Sequence, residues 1–296
     1  MKKIYSVLFA AVALVTAASC QKEIAGNNAP AVNGEPFTIT AVADAQTKTA
    51  LDASDDKKVN WTAGDAIAVF NASGSGVKFT TDITEPAASA EFKAAEFTAP
   101  ETFVALYPFQ DGLVLADGKI AGLEILSTQI AKLKNIDKDV TFTFAKGNNK
   151  DELAFNNIYS LLKFTMAEAA TEAVVKVSAT SGSLTGEFTL EVTNGKIDVV
   201  DGVSEATLMG NFVKDGVYYI CVFPGTYEGF SISINDVVIK TKSTEAVLEA
   251  NHIYDLGSIS LPEPNYGLVG SFQTPTSWDA ENPVSMEYVP GGWIVA

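Results

Sequence analysis

Leu184-Thr-Gly-Glu-Phe-Thr-Leu-Glu-Val192, then Thr193-Asn194-Gly195, then Lys196-Ile-Asp-Val199: two short β-runs joined through Asn-Gly. Asn and Gly tolerate the positive φ angles that tight hairpin turns need, so this stretch predicts two antiparallel strands. The same grammar continues in both directions. Upstream, Phe37–Ala43 alternates, with Phe37, Ile39, Ala41 and Ala43 on one face and Thr38, Thr40 and Val42 on the other. Ala66–Phe70 leads into the turn cluster Asn71-Ala-Ser-Gly-Ser-Gly76 and then Val77–Thr80. Thr102–Tyr107 stops at Pro108, and Val140–Phe144 stops near Lys146-Gly147-Asn148-Asn149. Ser160–Met166, Ala173–Ser178, Val217–Phe223, Gly229–Ile234, Val237–Thr241 and His252–Leu261 complete the series. Short strands at regular spacing with frequent Gly turns predict an all-β protein built from β-sandwiches. Thr128–Asp137 is the one helix candidate.

The chain has 296 residues, of which 47% are hydrophobic and 19% charged, a globular composition. Acidic residues outnumber basic ones 36 to 20, giving a net charge of −16, and every basic residue is Lys. This balance argues against nucleic acid as a partner, since binding the phosphate backbone requires clustered positive charge. It also argues against electrostatic docking on anionic lipid. One His (His252) and two Cys (Cys20 and Cys221) leave little material for acid/base, nucleophilic or metal chemistry. The composition fits a binding or structural protein that is not an enzyme and needs no cofactor or metal.

Residues 1–19 read as a secretory signal peptide: Lys2 and Lys3, an apolar run from Ile4 to Val15 too short to span a bilayer, then small residues. Thr16-Ala17-Ala18-Ser19-Cys20 resembles the lipobox of bacterial lipoproteins. That resemblance implies acylation of Cys20 and attachment to a membrane through its acyl chains. The short charged stretch Gln21-Lys22-Glu23 resembles the export signal of surface lipoproteins in bacteria with two membranes, implying an outer-membrane, cell-surface location. Residues 20–35 form a lipidated tether, rich in Ala, Asn, Gly and Pro from Ile24 on. With Cys20 acylated, Cys221 has no disulfide partner. It lies in the apolar run Val217-Tyr-Tyr-Ile-Cys-Val-Phe223 and reads as a buried, inert thiol.

The strand series divides into two halves of similar strand number, 36–150 and 151–261, with the polar break Asn148-Asn149-Lys150-Asp151 between them. Pro262-Glu263-Pro264-Asn265 is a linker, because Pro lacks a backbone donor and ends the last strand. Residues 266–296 are too few for a core of their own and read as a short C-terminal β segment, a fragment of a third module. This tail is expected to be poorly ordered, to bind no glucan, and to be removable with little change in the melting temperature of residues 36–261.

Thr47-Lys48-Thr49, Val59-Asn-Trp61 and Gly64-Asp65-Ala-Ile67-Ala-Val69, followed by Val104-Ala-Leu-Tyr-Pro-Phe109, form a pattern. So do Phe155-Asn-Asn-Ile-Tyr-Ser-Leu-Leu-Lys-Phe164, Ser183-Leu-Thr-Gly186, Tyr218-Tyr-Ile-Cys-Val-Phe-Pro224 and Ala250-Asn-His-Ile-Tyr-Asp-Leu-Gly257. Together, over residues 37–261, they resemble the fimbrillin (Mfa-like fimbrial subunit) family of surface lipoproteins. The resemblance implies two tandem transthyretin-like β-sandwich domains, with 155–164 opening the second. It also implies adhesion or fimbrial assembly by β-strand addition between subunits. Family members are opened by proteolysis after an Arg; this chain has none, and Lys48 stands where that Arg would be expected, as the candidate processing site.

Gly267-Leu-Val-Gly-Ser-Phe272, Ser277-Trp278-Asp279, Pro283-Val-Ser-Met286 and Gly292-Trp-Ile-Val295 resemble the start of SusE/SusF-type starch-binding modules. This gives the alternative function, an outer-membrane glycan-binding lipoprotein with a fimbrillin-like spacer. Trp278 and Trp293 would then stack on polysaccharide, unless both are core or edge aromatics of the module's first strands. Elsewhere the residues read structurally. Trp61 alternates with Val59 toward a core. Asp65 after Gly64 suits a turn, its carboxylate accepting local N–H groups, with metal ligation as the alternative. Asp52-Ala-Ser-Asp55-Asp56 reads as a solvated loop, lacking the spacing of a calcium-binding loop. His252, beside Asn251, lacks a companion nucleophile and reads as structural.

Overall fold

The computed structural model describes residues 35–43 and 60–262, together with the backbone of short strands between 267 and 295. The strands in chain order are β1 (Phe37–Ala43), β2 (Ala66–Phe70), β3 (Gly76–Thr80), β4 (Ser89–Ala94), β5 (Phe103–Tyr107), β6 (Leu115–Ala116), β7 (Lys119–Ile125) and β8 (Thr128–Ile130). After a 3-10 turn at Lys138–Val140 come β9 (Thr143–Gly147), β10 (Leu153–Asn157), β11 (Ser160–Met166), β12 (Ala170–Ala179), β13 (Thr185–Glu191), β14 (Lys196–Val203) and β15 (Glu205–Phe212). Then follow β16 (Val217–Val222), β17 (Gly225–Tyr227), β18 (Phe230–Ile234), β19 (Val237–Lys242), β20 (Ala246–Leu248) and β21 (Ile253–Ile259). The tail contributes β22 (Gly267–Leu268), β23 (Val284–Val289) and β24 (Gly292–Val295), which pair with one another in that order.

The all-β expectation holds among the described residues. The Asn-Gly hairpin is β13–β14, whose last pair is Glu191 opposite Lys196. Gly195 takes φ +71°, the Gly195 amide donates to the Glu191 carbonyl at 2.9 Å, and the Asn194 Oδ1 accepts from the Lys196 amide at 2.9 Å. Thus the Asn side chain and the Gly backbone both build the turn, as their chemistry dictates. Gly186 in β13 is required for another reason: at φ +121° a Cβ would sit 2.1 Å from the Asp201 carbonyl oxygen, beside a register shift.

Seven strands close into a barrel in the order β1-β10-β9-β5-β2-β3-β4. Its interior is one core: Phe37, Ile39 and Ala41 from β1, Trp61, Ile67, Val69, Phe79, Phe92, Phe103, Ala105, Tyr107, Leu153 and Phe155. β2 and β5 are buried on both faces. Their other face, Ala68, Phe70, Val104 and Leu106, joins Ile120, Leu123 and Ile125 of β7, Phe188 and Leu190 of β13, and Tyr219 and Cys221 of β16 in a second core. A third core lies between the sheet β16-β11-β21 and the sheet β19-β18-β12-β15-β8. β16 sends Tyr218, Ile220 and Val222 into that third core. Serving two cores is why Val217–Phe223 is an uninterrupted apolar run, where a strand with one wet face would alternate.

Pairing crosses residue 150 in both directions. β10 is a barrel strand beside β1, whereas β7 pairs with β13 and β8 with β15. The Phe155–Phe164 stretch is accordingly divided, β10 going to the barrel and β11 to the third core. A cut at 150 would break four strand pairings: β1–β10, β9–β10, β7–β13 and β8–β15.

The helix expected over Thr128–Asp137 is not formed. That segment holds β8 and a turn region, and two of its apolar residues, Ile130 and Leu133, are about half exposed. The reason is Gln129, which is buried and bonded to the main chain of Cys221. Val140–Phe144 also departs from expectation. Lys138–Val140 turns as a 3-10 helix and the strand starts only at Thr143.

Candidate functional site

β1 closes the barrel and is held on both sides. Along β4 it runs antiparallel, from Phe37 opposite Ala94 to Val42 opposite Ser89. Along β10 it runs parallel, Ala41 to Ala43 opposite Leu153 to Phe155. The Thr40 amide donates to the Lys150 carbonyl at 2.8 Å and the Ala43 amide to the Ala88 carbonyl at 2.9 Å. Inward, the Phe37 ring lies among three others: Phe97 at 5.0 Å between centroids, Phe103 at 6.2 Å and Phe79 at 6.3 Å. Ile39 and Ala41 are fully buried, while Thr38, Thr40 and Val42 are half-buried on the outer face. The alternation read from the sequence is therefore the one observed. The sequence reading missed β4, the partner strand, although Ala90, Phe92 and Ala94 alternate inward within Ser89–Ala94 and could have revealed it.

The other end of the barrel core is organised by Trp61. Its ring meets Phe92 at 5.0 Å, Phe155 at 5.1 Å and Tyr107 at 5.6 Å, all edge-on. Asp65 holds the turn beneath it: the Asp65 carboxylate accepts from the Thr62 amide at 2.7 Å and the Thr62 hydroxyl at 3.2 Å. It also accepts from the Tyr107 hydroxyl at 3.3 Å and from the Lys138 ammonium at 3.1 Å. Lys138 donates as well to the Thr62 hydroxyl at 2.7 Å. Burial, reinforced by the Asp65 charge, pushes the Tyr107 hydroxyl far above the ordinary phenol range. The turn role of Asp65 was legible; Lys138, contributed from far along the chain, was not. The cluster offers a braced carboxylate and a neutral phenol. Among the described residues no group of three or more His, Cys, Asp or Glu could hold a metal ion.

Cys221 is fully buried, its thiol against the Val140 carbonyl at 3.2 Å, and burial pushes its pKa well up. It is a core side chain, as its apolar flanks predicted. His252 is exposed: Nδ1 lies 2.9 Å from the Ala250 carbonyl and Nε2 3.5 Å from Glu249.

A cleft of about 530 Å3 lies between β19 and β21 and reaches Leu162, Val177, Ile232 and Leu248 of the third core. The Lys240 ammonium spans it to the Leu256 carbonyl at 2.5 Å.

The other sequence-derived candidates lie elsewhere. Cys20, Lys48, the Asp52–Asp56 loop, Val59 and Trp278 fall outside the described residues. Trp293 is described only by its backbone, opposite Tyr288 in β23–β24. Among the described residues no helix is long and apolar enough to cross a membrane.

No protein-family model matches this chain, and no curated protein does. Several solved structures are similar to it. A "putative cell adhesion protein" from Bacteroides uniformis is 18% identical, covering 75% of this chain and 93% of its own, with a TM-score of 0.46. A "putative cell adhesion protein" from Bacteroides ovatus is 17% identical, covering 79% of this chain and 94% of its own, with a TM-score of 0.48. A fimbrial protein from Bacteroides ovatus is 12% identical, covering 85% of this chain and 57% of its own, with a TM-score of 0.39.

Proposed function

We propose that this chain is a non-enzymatic cell-surface protein of adhesion or fimbrial assembly, anchored through an acylated Cys20, whose β1 slot accepts an extended strand from another subunit. Adhesion and fimbrial roles are those named for the similar structures above. What carries the reading here is β1 itself. A short N-terminal strand completes the barrel by main-chain pairing on both sides and by three inward side chains. Such a strand can be replaced by an extended segment of matching pattern, which is the chemistry of strand addition. Without it, β4 and β10 would present open edges above an apolar slot, a surface that pairs with other chains.

The test is cleavage of the full chain by a Lys-directed protease under native conditions, the first expected cut falling at Lys48. Loss of residues 1–48 with formation of heat-resistant multimers supports the proposal. A cleaved protein that stays monomeric, and is as stable as the intact chain, refutes it. Anchoring is tested separately: Cys20→Ala should release the protein from carbonate-washed membranes, and retention there would refute lipidation.

A further inference from the structure

We propose that the β1 slot selects its occupant by a size gradient: an aromatic ring at the Phe37 position, a branched aliphatic side chain at Ile39, and no more than a methyl group at Ala41. This rests on the strand-exchange reading and specifies the partner. It is an extended segment of the pattern aromatic-x-aliphatic-x-alanine, entering parallel to β10 and antiparallel to β4.

The gradient is built by the residues opposite each position. Phe37 stands opposite Ala94, whose small side chain leaves room for a ring inside the cage of Phe79, Phe97 and Phe103. Ile39 stands opposite Phe92, so the large residue has moved to the partner strand. Ala41 lies opposite Ala90 on one side and Leu153 on the other. In the same core Trp61 packs on Phe92 and Phe155, the rung partners of Ile39 and Ala43. Phe37, Ile39, Ala41, Trp61, Phe92 and Leu153 are all buried in one core, and close-packed cores resist added volume.

The consequence is directional. A ring at position 41 would overpack the core that Ala41 shares with Trp61, Phe92 and Leu153, and a methyl at position 37 would leave the three-ring cage hollow; both are destabilising. A segment entering in reverse would incur the two penalties together. Outward positions 38, 40 and 42 carry no such demand, because alternate side chains leave the sheet on its other face.

Two measurements test this. In the first, the full chain carrying one engineered protease site between residues 44 and 59 is nicked. A labelled peptide of residues 35–43 is then added in excess, and its incorporation followed by size exclusion. The native peptide should enter, whereas peptides carrying Phe37→Ala or Ala41→Phe should enter about tenfold or more weakly, and the reversed sequence should not enter. An Ala41→Phe peptide that enters as well as the native one overturns the gradient. In the second, the intact chain with Ala41→Phe is compared with Val42→Phe. The inward change should lower the urea midpoint and the outward one should leave it nearly unchanged. Equal effects overturn the gradient whatever the peptides do. Failure of the native peptide to enter, with the inward variant still destabilised, overturns strand exchange and leaves the packing gradient standing.

Discussion

Burying Gln129 removes a primary amide from water, which is unfavourable unless its hydrogen bonds are replaced. They are: the Gln129 Nε2 donates to the Cys221 carbonyl at 2.7 Å and to the Leu126 carbonyl at 3.2 Å, and Oε1 accepts from the Cys221 amide at 2.9 Å. Since β16 is an edge strand of its sheet, the side-chain amide acts as the missing neighbour at that rung. Gln129→Leu should leave the Cys221 amide and carbonyl buried and unpaired, at about 1–3 kcal/mol each, and a urea titration should show the loss. The thiol of Cys221 should resist alkylation in the native protein and react only once urea opens the core; rapid native labelling would contradict its burial. Tyr107 gives a pH dependence. Its hydroxyl is held neutral by burial and by Asp65, so its folded pKa is raised. The unfolded phenol ionises near pH 10, so above that pH the folded state binds more protons and stability falls. The urea midpoint should drop between pH 9 and 11, and drop less in Tyr107→Phe. A midpoint equally pH-dependent in both proteins would remove Tyr107 as a cause.

At the scale of elements, the slot is an exchange of volumes between neighbouring strands. Phe37→Ala would empty the three-ring cage and should cost about 3–5 kcal/mol, read as a lower urea midpoint with an unchanged slope. Strands with a clear apolar pattern were legible in the sequence: β1 by alternation, β2 and β11 by short apolar runs, each beginning and ending where its pattern does. Turns with Asn-Gly were legible because the backbone demand falls on the residue type itself. β4 and β7 were missed for another reason. Ser89–Ala94 and Lys119–Ile125 carry Ala, Lys, Glu and Gly, residues of low strand propensity, and their buried positions are fixed by pairing with β1 and β13. The false helix at Thr128–Asp137 follows from the same blindness to long-range partners, since nothing local announces that Gln129 will bond to Cys221. At the candidate site, the inward face of β1 was legible from its own seven residues. The cage around it was not, because Phe79, Phe97 and Phe103 are brought together only by the barrel.

For the whole molecule, the pairings across residue 150 decide how stability is shared. The barrel needs β10, and the sheet containing β13 needs β7. Residues 36–150 alone, or 151–261 alone, should therefore fail to give a cooperative unfolding transition, whereas 36–261 should give one. Calorimetry of the three polypeptides checks this, and two independent transitions from separately folded halves would contradict it.

The parallel pairing of β1 with β10 also sets a timetable. A chain emerging from its N-terminus can zip β1 to β4 before β10 exists, because β4 lies nearer in the chain. The other flank must wait until Phe155 has appeared, and the long loop then closed costs entropy before it returns any contact. During that interval the first strand is seated on one side only. β1 is held least firmly then, so the history of the nascent chain, as much as the finished structure, bears on how the barrel is closed.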